Sequence, residues 1–182
     1  MLDHADALRL IKAYSPADAE QQELRADYLT HLTANPNGTR RECLPDHLTA
    51  SGIIFDPEEG NVLLGLHARA GIWLQLGGHI EDRDASIPDA ALRETTEESG
   101  IEGLRLASPL PIRLDRHTAP CAPGARHHLD VQFLVIAPPG SETIISPEQL
   151  DLRWCPYDSL PEPLGSGVRG LIDAALLALR QS

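Results

Sequence analysis

The segment that most constrains this chain is GGHIEDRDASIPDAALRETTEESGI, which spans residues 77–101. Its second half is predicted to be a helix. Ser86 can cap the N-terminus with Asp89 at the capping-box offset, Pro88 suits the first turn, and Gly100 can close the C-terminus. The two glycines fit a place where the backbone approaches a ligand or bends sharply, and a well-bounded helix is predicted after them.

Three carboxylates share one face of this predicted helix. Glu94, Glu97 and Glu98 follow the spacing i, i+3, i+4, which stacks side chains on one side of a helix. Like charges at these offsets repel by about 0.2–0.5 kcal/mol per pair, and the last helical turn disfavours anions. Arg93 can pair with Glu97, but one cation cannot neutralise three acids. Two interpretations are open: a solvated acidic face, which is common on exposed helices, or a site built for a cation.

With the glycines before it, this helix resembles the box of the Nudix hydrolase family, G-x5-E-x7-R-E-U-x-E-E-x-G-U, where U is a bulky aliphatic residue. The residues that match the box are Gly78, Arg93, Glu94, Glu97, Glu98, Gly100 and Ile101. The segment also departs from it. The loop is one residue longer, Asp84 stands where the first Glu is expected, and Thr95 fills a position that is usually apolar.

The resemblance implies an α/β fold, the Nudix-type α/β/α sandwich with a mixed sheet. It implies metal-dependent hydrolysis of a nucleoside diphosphate linked to a group X, with Mg²⁺ as the cofactor and Mn²⁺ as a substitute. The implied metal ligands are the carbonyl of Gly78 and the carboxylates of Glu94, Glu97, Glu98 and Asp84. The implied catalytic residues are Glu98 and Glu97, with Arg93 orienting the glutamates. Asp84 has an alternative role as a solvated loop acid.

Several residues beside the box are predicted to bind substrate: His79, His117, His128, Asp130 and Glu148. His79 directly follows the box glycines and is expected near the phosphates. Asp130 interrupts a hydrophobic strand, so alternation predicts that it faces the exposed side of the sheet. Glu148 precedes a strand in a loop, where the resemblance allows a base or a further ligand. Its alternative role is that of a solvated acid.

The histidines near residue 120 allow a second interpretation. His117-x3-Cys121, followed by His127 and His128, contains nitrogen and sulfur ligands of the kind that zinc prefers. A single thiol and irregular spacing favour instead a loop, residues 116–126, that lines the substrate pocket. Packing histidines are the third alternative.

The rest of the chain reads as one domain preceded by a helical arm. Residues 4–34 are predicted to be helical, with a second helix starting at Ser15-Pro16 and ending at residues 35–38. Strands are predicted at residues 48–55, 62–66, 104–106, 111–114, 128–137 and 152–156, and a last helix from Gly165 or Ser166. The predicted division is an arm at 1–45 and a Nudix hydrolase domain at 46–182. The arm has three open roles: packing on the domain, a homodimer contact, or shaping the pocket.

Composition limits the partners. The net charge of −12 argues against a nucleic-acid polymer or an anionic membrane, but not against a small phosphorylated substrate whose charge a metal screens. No apolar run approaches the length of a membrane span. Three widely spaced cysteines are expected to be reduced thiols of a cytoplasmic protein. The competing function is a Nudix-fold binding or regulatory module that has lost activity, although the intact acidic motif favours an enzyme.

Overall fold

The computed structural model describes residues 2–118 and 123–181. Within these residues the helices are α1 (His4–Ala13), α2 (Ala19–Ala34), α3 (Ile87–Ser99) and α4 (Val168–Leu179). The strands are β1 (Asp46–Asp56), β2 (Asn61–His67), β3 (Trp73–Leu74), β4 (Leu76–His79), β5 (Arg105–Leu106), β6 (Arg113–Thr118), β7 (His127–Ile136) and β8 (Gln149–Pro156). None of the helices in this described part of the chain is long and apolar enough to cross a membrane.

The long strand β1 organises a mixed sheet. On one side it runs parallel to β7 along nearly its whole length. On the other side its antiparallel partner changes, from β4 at residues 49–52 to β2 at residues 54–56. β8 and β3 extend the sheet beyond β2, and β5 and β6 extend it beyond β7. The sheet therefore divides at the middle of β1, and β4 brings the two box glycines beside that point.

Alternation along β1 and β7 sends side chains to two helical layers. One face packs against α3 and the two N-terminal helices, through residues that include Leu48, Val131 and Phe133. The opposite face packs against α4 through residues that include Ile53 and Leu134. The predicted α/β/α sandwich with a mixed sheet is confirmed.

The predicted boundaries of the acidic helix are confirmed. The Ser86 hydroxyl oxygen accepts the Asp89 N–H at 3.2 Å, which caps the helix, and donates to the Asp89 carboxylate at 2.8 Å. Gly100 ends the helix with a φ of 68°, a conformation that favours glycine. Thr95, the polar residue at an apolar box position, is fully buried, and its hydroxyl donates to the Ala91 carbonyl at 2.8 Å. This hydrogen bond to the helix backbone satisfies the buried Thr95 hydroxyl, so threonine is tolerated at this apolar position.

Two local predictions need correction. α2 begins at Ala19 rather than at Ser15-Pro16, because the Asp18 carboxylate accepts the Gln21 N–H at 2.8 Å and is the stronger cap. β6 runs to Thr118, so His117 lies in a strand and not in a pocket loop. The segment RLDRHT lacks an apolar alternation, and its strand conformation comes from pairing with β7.

The N-terminal helices pack on the domain. The Gln21 side chain donates to the Leu114 carbonyl at 3.0 Å and accepts the Leu114 N–H at 2.9 Å. The buried Tyr28 hydroxyl contacts the carbonyls of Asp115 at 2.7 Å and Asp130 at 2.9 Å. Of the three roles open to the arm, packing is the one observed, and it joins the arm to the two strands that carry His117 and His128.

Candidate active site

The carboxylates of α3 meet the glycines of β4. Glu94 and Glu98 are half-buried, whereas Glu97 is exposed. One Glu98 oxygen, Oε2, accepts the Gly77 N–H at 3.0 Å. A Cβ placed on Gly78 would lie 2.8 Å from the Glu94 carboxylate carbon, so only glycine leaves room for the carboxylate here. The helix therefore presents two glutamates directly against the backbone of the box glycines.

Arg93 binds the acids around it. Its guanidinium donates to Glu94 at 2.9 Å and to the more exposed Glu97 at 3.2 Å. The same group also donates to the His79 carbonyl at 2.9 Å, so it ties α3 to the end of β4. These contacts match the orienting role that the resemblance implies for Arg93.

Asp84 is the principal partner of Arg93. Its side chain accepts two parallel hydrogen bonds from the guanidinium, at 2.8 and 2.9 Å, and one from the Glu81 N–H at 2.7 Å. Burial alone would raise the pKa of Asp84, but these hydrogen bonds outweigh it and hold the pKa below its usual value. At 4% exposure, Asp84 is not the solvated loop acid that one alternative predicted. Both of its oxygens are engaged by Arg93, and the metal-ligand role stays a prediction.

The glutamate cluster carries more negative charge than its surroundings balance. Burial raises the pKa of Glu98 to about 8, although the Gly77 N–H works in the other direction. The nearby carboxylates of Glu94, Glu148 and Glu97 contribute to the same rise. Burial also raises the pKa of Glu94, although Arg93 opposes it. Glu148, which the sequence places far from α3, is therefore brought to the same cluster.

The residues present fit a hard divalent cation. Crowded carboxylates next to an open glycine backbone offer the oxygen ligands that Mg²⁺ and Mn²⁺ take. The raised pKa of Glu98 shows that the cluster disfavours its full negative charge when no cation is bound. A cation at this point would remove that repulsion.

The predicted exposure of Asp130 is wrong. Asp130 is 2% exposed, and its carboxylate accepts hydrogen bonds from Thr49 at 2.9 Å, from Ser51, and from Gln132 at 3.1 Å. Gln75 adds a longer contact at 3.4 Å. The sheet can bury this charge because the neighbouring strands supply donors on the same face. Its substrate-binding role stays a prediction.

Two of the predicted histidines, His79 and His128, lie next to His47, which the sequence analysis did not single out. The rings of His79 and His128 lie 4.9 Å apart between centroids, and His47 joins them at 5.2 and 5.0 Å. Burial lowers the pKa of His79 to about 4 and that of His128 to about 3, and it lowers the pKa of His47 as well. All three rings are neutral at pH 7. The only signal for His47 was its place at the start of a strand, where it is in register with His128.

Two further histidines lie at the edge of this group. Burial lowers the pKa of His117, but the hydrogen bond with Asp115 at 2.8 Å and nearby acids outweigh it, so the pKa is raised. The His117 ring also lies 5.5 Å from the His128 ring. His127 contacts Asp46 at 3.0 Å instead of joining the group. Cys121, the thiol of the zinc interpretation, lies outside the described residues.

Comparisons with known proteins identify a matching family and similar solved structures. The family model described as NUDIX domain matches residues 45–175. A hydrolase of the NUDIX family from Clostridium perfringens is 25% identical, with a TM-score of 0.58 over 74% of this chain and 97% of that chain. A MutT NUDIX hydrolase from Burkholderia pseudomallei is also 25% identical, with a TM-score of 0.56 over 71% of this chain and 97% of that chain.

A third solved structure shares the fold. The Ap4A hydrolase of C. elegans is 18% identical, with a TM-score of 0.62 over 74% of this chain and 98% of that chain. None of the curated proteins compared with the chain matches it.

Proposed function

The chain belongs to the Nudix hydrolase family, and from this premise we propose that it hydrolyses a pyrophosphate bond in a nucleoside diphosphate linked to a group X. The reaction depends on Mg²⁺, with Mn²⁺ as a substitute. The observation that carries this proposal is the cluster of Glu94 and Glu98 against the box glycines, with Arg93 holding the acids in place.

Four groups of the chain would hold the cation. They are the Gly78 carbonyl and the carboxylates of Glu94, Glu97 and Glu98. When bound, the cation supplies positive charge that offsets the negative charge of the phosphates and of the transition state. The positions of these groups come from the packing of α3 on β4, so the ligands stand on a rigid element rather than on a loop.

Glu98 is the proposed general base. Its Oε2 accepts the Gly77 N–H, which fixes the orientation of the carboxylate beside the box glycines. Because a bound cation would lower the pKa of Glu98, its role as base rests on this position and not on the raised pKa of the metal-free protein. Glu148 is the second candidate for this role, because its carboxylate is close enough to raise the pKa of Glu98.

Arg93 is a positioning residue. Its contacts with Glu94 and Glu97 orient the carboxylates, and Asp84 fixes the guanidinium with two hydrogen bonds. Asp84 thus acts through Arg93 in this proposal. Substrate binding also remains proposed for four residues beside the cluster, with no substrate atom assigned to any of them: His79, His117, His128 and Asp130.

The substrate is expected to be small and phosphorylated. The C. elegans relative is an Ap4A hydrolase, so dinucleoside polyphosphates join nucleoside triphosphates and nucleotide sugars as substrates to be tested. Buried free thiols at Cys43 and Cys155 agree with a reducing, cytoplasmic setting.

The test is a substrate panel with Mg²⁺ or with EDTA, whose products are identified by mass. We expect cleavage between phosphates that requires the metal and is lost in Glu98→Gln. Glu102→Gln is the matched control, because Glu102 is an exposed acid just beyond the same helix. Product from no compound would contradict the enzyme and favour the binding module, whereas equal rates in Glu98→Gln and the wild type would contradict the role given to Glu98.

A further inference from the structure

Three strands bring three imidazoles to one face of the sheet. His47 on β1 is in register with His128 on β7, and Thr49 on β1 is opposite His79 on β4. Because His47 and Thr49 are two residues apart, their side chains share a face, and His79 joins them there. The shared face therefore places the three rings in one triangle, whose sides are 4.9, 5.0 and 5.2 Å between centroids.

The ring nitrogens are close enough for one ion. One nitrogen from each ring lies within 4.8 Å of the other two. Nitrogens at this full separation would be about 2.8 Å from a central ion, so each needs to move about 0.7 Å to reach a zinc–nitrogen bond of about 2.1 Å. Side-chain rotation alone can supply that movement.

One hydrogen bond orients the His47 ring as a ligand, and the His79 ring has a buried nitrogen without a partner among the described residues. His47 Nδ1 lies 3.2 Å from the Cys43 carbonyl, which can only accept, so Nδ1 carries the hydrogen and Nε2 carries the lone pair. A backbone carbonyl on the remote nitrogen is the usual way in which a metal-binding histidine is held. His79 Nε2 is buried and has no hydrogen-bond partner among the described residues. A bound ion would satisfy this nitrogen.

The three imidazoles favour a different metal ion from the one that the glutamates favour. Neutral imidazole suits Zn²⁺ and other divalent transition metals, whereas carboxylates and carbonyls suit Mg²⁺. Three histidines leave a fourth position open on a tetrahedral ion.

We propose that His47, His79 and His128 bind one divalent transition-metal ion, with Zn²⁺ as the ion to test, at a site separate from the glutamate cluster. The proposal does not depend on the substrate or on the general base of the hydrolytic reaction. It also differs from the zinc set suggested by the sequence, because it includes His47 and His79 and excludes His127.

The experiment measures Zn²⁺ binding to metal-free full-length protein by competition with a chromophoric chelator. We expect one Zn²⁺ per chain in the wild type and at least a hundredfold weaker binding in His47→Gln, His79→Gln and His128→Gln. His127→Gln is the matched control, since it removes a neighbouring imidazole on the same strand that contacts Asp46. Glu98→Gln should also bind as the wild type does, which separates this site from the carboxylates.

Circular dichroism establishes that each variant is folded, and Co²⁺ in the wild type gives a readout that needs no variant. Strong visible absorption of four-coordinate Co²⁺ is expected at one equivalent. Only the weak bands of six-coordinate Co²⁺, wild-type affinity in the three histidine variants, or loss of Zn²⁺ binding in Glu98→Gln would overturn the proposal.

Discussion

At the scale of single residues, Glu98 makes the stability of the metal-free protein depend on pH. In the folded protein its pKa is about 8, whereas its ordinary value is 4.5. Between these values the folded state holds a proton that the unfolded state has released. The free energy of unfolding therefore falls as pH rises through this range. Repulsion and burial of one carboxylate are the physical cause.

Glu98→Gln should remove this pH dependence. We expect the variant to be more stable than the wild type at pH 8 in EDTA and equal to it near pH 4. A gain of about 1 kcal/mol raises the Tm of a chain of this size by about 2–4 °C. Thermal unfolding across pH checks this, with Glu102→Gln as the control. A Glu98→Gln protein that is less stable than the wild type at pH 8 would mean that Glu98 holds the fold together.

Asp84→Asn should destabilise the protein through Arg93. The side chains of Asp84 and Arg93 are 3% and 13% exposed, and breaking a buried ion pair costs about 3 kcal/mol or more. Urea unfolding measures this cost. Asp82→Asn is the matched control, because Asp82 is an exposed acid of the same loop whose pair with Arg40 is worth little.

Kinetics separate the two roles left for Asp84. If it positions Arg93, turnover falls in Asp84→Asn, but the Mg²⁺ concentration for half-maximal rate stays within about twofold of wild type, a difference of about 0.4 kcal/mol in apparent binding free energy. The effects of Asp84→Asn and Arg93→Gln should then be non-additive. A large rise in the Mg²⁺ requirement with additive effects would instead support Asp84 as a ligand.

At the scale of elements, the acidic face of α3 should gain stability from metal. Its carboxylates repel in the metal-free protein, and a ligand that binds only the folded state stabilises it by about 2.7 kcal/mol at a hundred times its Kd. Thermal melts in millimolar Mg²⁺ or Mn²⁺ should show a rise that Glu94→Gln and Glu98→Gln reduce. A wild-type melt that does not respond to either ion would count against the site.

Local chemistry explains which elements could be predicted. The bounds of α3 follow from Ser86 and Gly100, whose capping interactions lie within the helix and its immediate neighbours, and sequence reasoning found both. β6 was only partly found, because its conformation comes from pairing with β7 rather than from its own pattern. Strand pairing also explains why His47 was missed: it meets His128 through the register of two strands that are distant in sequence.

The alternation of side chains along a strand predicts which face of the sheet a residue lies on, but not what packs against that face. Asp130 does lie opposite its apolar neighbours on β7, as predicted, yet that face is buried by donors from β1 and by Gln75. The loop before α3 shows the same limit for the site. The longer loop and the shorter side chain made Asp84 a candidate for a special role in the sequence. Only the folded loop shows that its carboxylate accepts two hydrogen bonds from the Arg93 guanidinium.

At the scale of the whole molecule, the N-terminal arm shares the core of the catalytic part. Ala7, Ile11, Tyr28 and Leu32 are fully buried in a cluster with residues of the sheet and of α3. The division into an arm at 1–45 and a domain at 46–182 stays a prediction about sequence organisation. This shared core means that the second part exposes apolar surface when it is produced without the first.

Tyr28→Phe tests how strongly the arm and the domain stabilise each other, because it removes a single oxygen atom between them. The hydroxyl donates toward two backbone carbonyls, and leaving buried acceptors unsatisfied costs about 1–3 kcal/mol. We expect a matching loss in the free energy of urea unfolding, whereas Tyr157→Phe, at an exposed tyrosine, should change little. A single cooperative transition should persist in both variants. Separate transitions for arm and domain would show that they are independent units.

The peptide that joins Gly78 to His79 touches both clusters. Gly78 borders the Glu94 carboxylate, the His79 carbonyl accepts from Arg93, and the His79 ring belongs to the histidine triangle. Any shift of this peptide would therefore move groups of the glutamate cluster and of the histidine triangle together. If Zn²⁺ at the histidines changes the Mg²⁺ affinity of the glutamates by some factor, thermodynamic reciprocity requires Mg²⁺ to change the Zn²⁺ affinity by the same factor. One coupling free energy would then govern which metal ions the protein carries together.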